Sequence, residues 1–192
     1  KFTGTSGDFS TVVTSSFTGD QQIIFKFVRC TDADNRNYAV VEIGTQTWMA
    51  SNLRTTKYMN GDLIGTTSPK TLNITAETNP KYEWVYYAYG ITEIDTALFG
   101  RLYTWHAAVD SRKVCPAGWH LPSQTEWNTL ITAMGGSAVA GGKLKETSFR
   151  NWNSPNTGAT NISGFTAVPG GTRAPAGSCS NYKNFCYLWS AT

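Results

Sequence analysis

Residues 115–136 read CPAGWHLPSQTEWNTLITAMGG, and the order Pro122, Ser123, Glu126 inside that run predicts where a helix begins. The Ser123 hydroxyl can accept from the Glu126 amide while the Glu126 carboxylate returns to the Ser123 amide, the reciprocal arrangement of a capping box. Trp127, Leu130, Ile131 and Met134 follow at i, i+3, i+4 and i+7, one apolar stripe that must face a core. Gly135 then supplies the left-handed residue that ends the helix. A carboxylate engaged in capping is a poor candidate for the raised pKa of a general acid. His120 lies between Trp119 and Leu121 with no Asp, Cys or Ser placed in sequence to orient it, so no nucleophile, base and orienter are marked as a set. The stretch reads as a structural corner, and no catalytic residue is assigned.

Upstream, LFGRLYTWHAAVD at 98–110 can carry a short helix in which Leu102, Trp105 and Ala108 or Val109 share a face, with His106 as a packing residue. The aromatic run YEWVYYAYG at 82–90 is strand-like or core-filling, and residues 60 to 80, dense in Gly, Pro, Asn and Thr, read as a long surface loop. YAVVEIG and TQTWMA predict a hairpin around Gly44. The acidic turn TDADNRN at 31–37 invites calcium, but the glycine and closing glutamate of an EF-hand loop are missing, so no cofactor is assigned. QQIIFKFVRC at 21–30 alternates Ile23, Phe25 and Phe27 against Ile24, Lys26 and Val28 and predicts a strand. Residues 1–30, rich in Thr, Ser and Gly, are set apart as a β-rich N-terminal segment or the end of a preceding domain, leaving 31–192 as the main domain.

The formal charge of +3 comes from scattered Lys and Arg, with no basic stripe to neutralise phosphates, so nucleic acid is not an expected partner. No stretch approaches the ~20 apolar residues of a membrane helix. The first residues, KFTGTSGDFS, carry neither an initiator Met nor a signal-peptide pattern and read as the start of a mature or excised piece. Seven Trp and nine Tyr against few charges fit a rigid, loop-rich domain working outside the cell. The four cysteines show no CxxC spacing, which argues against zinc and for disulfides; Cys179 and Cys186 bracket the short loop SNYKNF, which a bridge closes easily.

Five blocks carry a family resemblance: YAVVEIGTQTWMASNLRTTKYMNGDLI, FGRLYTWHAAV, CPAGWHLPSQTEWNTL, GGKLKETSFRNWNSPNTGATNISGFTAVPGGTR and the closing LWSAT. In this order they resemble the Fibrobacter succinogenes major paralogous domain, found in bacterial surface and secreted proteins, from about Asp32 to Thr192. That family is similar in turn to the C-type lectin-like fold, and GWHLPSQTEW with GFTAVPGG resembles motifs of the formylglycine-generating sulfatase-modifying enzymes. The resemblance implies an α+β domain whose capped helix packs on a small twisted antiparallel sheet, with loops forming a binding surface. The paired active-site cysteines of those enzymes are not matched in context, because Cys179 and Cys186 precede LWSAT. Family members continue past this point to a closing Val-Arg-Cys strand, so the chain reads as truncated. Two readings of Cys115 then stay open: it pairs with Cys30 of the upstream FVRC, which is favoured, or it is left half-paired.

The functional expectation is a non-enzymatic extracellular or cell-surface binding or adhesion module for a glycan or a protein. Asn151, Trp152 and Asn153 in RNWNSPNTG offer an apolar ring flanked by amides, although a turn whose tryptophan plugs the core is the favoured reading there. Tyr182, Lys183 and Asn184 at the tip of the Cys179–Cys186 loop are the second candidate surface. A structural or assembly unit of a surface or filamentous protein, its 21–30 strand augmenting a neighbouring domain or subunit, is the alternative, and a sulfatase-modifying type of oxidase ranks last.

Overall fold

The computed structural model of the chain describes residues 1–16, 18–65, 69–87 and 94–192. Its architecture is mixed α+β. One four-stranded sheet is ordered β1 (Phe2–Ser6), β2 (Phe9–Val13), β3 (Val40–Ile43), β4 (Gln46–Met49), and two small two-stranded sheets are β5 (Glu83–Trp84) with β6 (Leu102–Tyr103) and β7 (Thr172–Arg173) with β8 (Cys179–Ser180). The helices are α1 (Thr96–Phe99), α2 (Trp105–Ala108), α3 (Gln124–Ala133) and α4 (Ser137–Leu144). None is long and apolar enough to cross a membrane.

The hairpin expected at Gly44 is β3–β4, and Gly44 takes φ of 60° in its two-residue turn, a value that favours glycine. Strand alternation gives the sheet two unlike faces. Val12, Val41, Ile43 and Trp48 face α3 and form the largest core cluster with Leu130 and Phe165. On the other face, Gly4, Thr11, Val40 and Met49 stand in register as one row across the four strands.

The strand expected at 21–30 is not formed. The β-structure of the N-terminal segment lies instead in β1 and β2, and β2 pairs parallel with β3, so residues 2–13 share one sheet with the rest of the chain. Residues 25–28 lie as an extended strap along the Gly4–Thr11–Val40–Met49 row. The Phe25 ring rests on Gly4, the Lys26 carbonyl accepts from Thr11 Oγ1 at 2.9 Å, Lys26 Nζ reaches Glu42 at 3.2 Å, and Val28 packs with Met49 against Cys30, Tyr38 and Val40. A segment crossing a sheet face cannot enter its ladder, and that is why an alternating sequence yields no strand here.

The capping box forms as the sequence predicts: Ser123 Oγ accepts from the Glu126 amide at 3.3 Å and Glu126 Oε2 accepts from the Ser123 amide at 2.8 Å. Leu130 is wholly buried, and Trp127 and Met134 pack against the same core. The single helix expected in 98–110 is instead α1, β6 and α2, because Gly100 turns the chain at φ of 70° and Thr104 caps a new helix by accepting from the Ala107 amide. Of YEWVYYAYG, Glu83 and Trp84 form β5 and Tyr86 is buried, while residues 88–90 lie outside the described residues.

Candidate functional site

Six of the seven tryptophans converge on one groove of about 1140 Å³. β4 supplies Trp48, β5 Trp84, the first turn of α2 Trp105, the turn after Pro116 Trp119, α3 Trp127 and the C-terminal segment Trp189. Trp48 and Trp127 form the floor, their rings 4.9 Å apart, with Phe165 edge-on at 5.9 Å from Trp48. Arg173 lies over Trp84 at 3.9 Å. At the rim Trp105 is 42 % and Trp189 46 % exposed. The indole N–H of Trp119 donates to the Arg29 carbonyl and that of Trp189 to the Tyr103 carbonyl, both at 2.9 Å, which fixes the two rings. The Trp48 indole N–H is buried and has no hydrogen-bond partner among the described residues.

Both histidines line the same groove. His120 Nε2 lies 2.7 Å from Glu126 Oε1, so Glu126 caps α3 with one oxygen and orients an exposed imidazole with the other. Sequence reading gave His120 no orienting partner; the turn at Pro122 brings Glu126 back to it. The Ser123 backbone amide, then His120 and the Ser123 hydroxyl, hold the Glu126 carboxyl down at about 2. Burial pushes the Cys115 and Cys186 thiols in the groove wall up to about 11, the opposite of an activated nucleophile.

The Fibrobacter succinogenes major domain matches residues 41–192, a span that includes β3 from Val41, β4, the capped helix and every groove tryptophan. The chain belongs to that family. No curated protein and no solved structure matches it.

In this member of the Fibrobacter succinogenes major domain family the two loops singled out in the sequence come together. The Asn153 amide donates to the Lys183 carbonyl at 2.9 Å and its side chain to Asn184 Oδ1 at 3.0 Å. Trp152 is only 7 % exposed, its indole N–H donating to the Ala167 carbonyl, and Asn151 is buried beside it, so this ring plugs the core. Tyr182 is anchored between Tyr86 and Phe99, each at 5.2 Å, and Lys183 stands at φ of 63° with its ammonium 5.8 Å from the Tyr182 ring. Of the six residues only Asn153 and Asn184 are fully at the surface. The sequence signal that marks the groove instead is tryptophan content itself, which carries no information about where the rings meet.

All four cysteines are free thiols in the structure, and neither expected bridge is formed. Cys179 packs against the Tyr86, Phe99 and Val168 cluster while Cys186 packs against the Trp48 and Phe165 core, so the two ends of SNYKNF turn to different clusters. Cys30 and Cys115 do approach: burial, then the nearby Cys115 and Asp32, push the Cys30 thiol up to about 12. In TDADNRN the carboxylates are engaged by the protein itself. Asp32 accepts from the amides of Asp34 and Arg36 and from the Tyr38 hydroxyl, and Asp34 accepts from the Thr56 amide and hydroxyl and pairs with Arg36 at 2.7 Å and Lys57 at 3.6 Å.

Proposed function

We propose that this domain is a non-enzymatic recognition module of a bacterial surface or secreted protein, built on a C-type lectin-like fold, and that the tryptophan groove holds its glycan or protein ligand. The observation that carries the reading is the convergence of six tryptophans on one open groove, two of them nearly half exposed at its rim. Large aromatic surface left in a concavity is the usual form of a binding anchor. The groove thiols support a binding role over the oxidase alternative, because burial keeps them protonated. An assembly role is the second reading; it would use the outer edge of β4, which pairs with no strand among the described residues.

The test is capture on glycan and protein arrays, followed by titration of any bound ligand against Trp105→Ala. Loss of about tenfold or more in affinity, with an unchanged melting temperature, is expected for a rim anchor. Arrays that yield no ligand, or a ligand indifferent to Trp105, would sink the reading.

A further inference from the structure

β4 ends its sheet, and the hairpin geometry fixes which of its backbone groups look outward. The two-residue turn makes Ile43 and Gln46 a hydrogen-bonded pair, Val41 and Trp48 are the next, and the Ala50 amide donating to the Ala39 carbonyl at 2.7 Å is the third. The N–H and C=O groups of Thr47 and Met49 therefore point away from β3. No partner of these four groups is found among the described residues. Both residues line the tryptophan groove.

The walls on the two sides of this edge are apolar. Trp48, Trp127 and Phe165 lie toward α3, while Val28 and Trp119 lie toward the strap. Trp48 is 8 % exposed, and its indole N–H, like Gln46 Oε1 and Arg101 Nε in the same lining, has no hydrogen-bond partner among the described residues. The groove's volume of about 1140 Å³ exceeds the ~300–1,000 Å³ typical of small-molecule sites, which points to a polymeric occupant. Arg29 and Arg173 also line it and have no carboxylate partner among the described residues; Arg173 is held by the Lys70 and Leu72 carbonyls, which leave its charge unneutralised, whereas Glu126 is held by Ser123 and faces His120. The groove thus favours an acidic visitor.

We propose that β4 accepts a strand from a partner protein: an extended segment with large apolar side chains on both faces and acidic residues at its ends, laid along Thr47 and Met49. The inference rests on the groove as the recognition surface and narrows its ligand from a glycan or a protein to a peptide strand. A sugar chain can stack on the tryptophans, but only a peptide backbone repeats donors and acceptors at the spacing of a strand edge. An unpaired edge beside an apolar groove is a feature proteins otherwise cover or blunt.

The probe is an array of fluorescein-labelled decapeptides, two Asp at each end around positions drawn from Val, Ile, Tyr and Phe. Each is paired with a copy N-methylated at alternate residues, and cellohexaose is titrated separately by tryptophan fluorescence. Thr47→Pro is the matched variant, since Thr47 is exposed and its N–H has no bond among the described residues. Expected are peptides that bind the wild type and lose about tenfold or more both on N-methylation and against Thr47→Pro, the scale of a lost backbone hydrogen bond and a blocked edge. If Thr47→Pro fails to fold, the N-methylated pairs decide the matter on the wild type alone. Binding indifferent to methylation is apolar adhesion and overturns the proposal. Binding of none of the peptides overturns the strand; the recognition reading then stands if cellohexaose binds, and falls only if the glycan and protein arrays also yield no ligand.

Discussion

Glu126 carries three jobs on two oxygens: it accepts from the Ser123 amide and hydroxyl, both at 2.8 Å, and holds His120 at 2.7 Å. The cap was legible in the sequence because all its atoms belong to four consecutive residues; the bond to His120 was not, because it depends on how the chain turns at Pro122. The Glu126 carboxyl is depressed from an ordinary value of 4.5 to about 2 in the folded chain. A depressed folded pKa stabilises above the unfolded value and loses that stabilisation as pH falls through the folded one, here between about pH 5 and pH 2. The melting temperature of the wild type should therefore fall more steeply across that window than that of Glu126→Gln, measured by circular dichroism; parallel curves would exclude the linkage. The cysteines make a second residue-scale prediction. With thiols pushed up to about 12 at Cys30 and about 11 at Cys115 and Cys186, the thiolate fraction at neutral pH is roughly a hundredfold or more below that of an ordinary cysteine. Iodoacetamide labelling of these three should be correspondingly slow in buffer and fast in urea, read by peptide mass under non-reducing conditions. A mass lower by two hydrogens, with Cys30 and Cys115 unlabelled in urea while Cys186 labels, would instead show the Cys30–Cys115 bridge.

At the scale of elements, α3 is the piece on which local and global demands agree, since its cap, stripe and closing glycine all match its place over the sheet. Ser123→Ala should cost about 1 kcal/mol by removing one cap bond. Leu130→Ala, at a site with no exposure, should cost about 2–5 kcal/mol. Urea unfolding of both variants checks the order, and a cap loss equal to the core loss would contradict it. α4 was not legible, because Gly141 and Gly142 lie in its interior and glycine weakens a helix. The structure gives the reason for Gly142: a Cβ there would stand 2.2 Å from the Gly158 carbonyl oxygen, so the helix keeps a glycine to let the neighbouring loop approach. The strap misled for the reverse reason. The alternation holds from Ile23 to Lys26, with Phe25 on the sheet and Ile24 83 % exposed, and breaks at Phe27, which is exposed while Val28 turns inward; alternation over so few residues describes an extended segment lying on any surface, and pairing needs a neighbouring strand.

For the whole molecule, the row Gly4, Thr11, Val40, Met49 joins the N-terminal hairpin, the family domain and the strap into one layer. Gly4 is the position on which the strap's approach depends, since a Cβ there would meet the Phe25 ring at 2.5 Å. Gly4→Ala should lift the strap and speed tryptic cleavage after Lys26 and Arg29, followed by mass spectrometry, with little change in the unfolding of α3. Cleavage at the wild-type rate would mean that the strap does not depend on this contact. A second tie lies across the molecule, where Asp110 binds Lys81 at 2.7 Å and Arg112 at 2.9 Å, and Arg112 in turn reaches Asp62 at 3.1 Å and covers the Tyr58 ring. The sequence by itself determined the capped helix, the Gly44 hairpin and the family, because each is written in spacings of a few residues or in the order of long blocks. Only the tertiary structure decided which tryptophan plugs the core and which six form the groove, that His120 meets Glu126, and that the outer edge of β4 opens into the groove. Those outcomes depend on bringing residues as distant as Trp48 and Trp189 to one groove, and that is set by how all the elements pack at once, which no local pattern records.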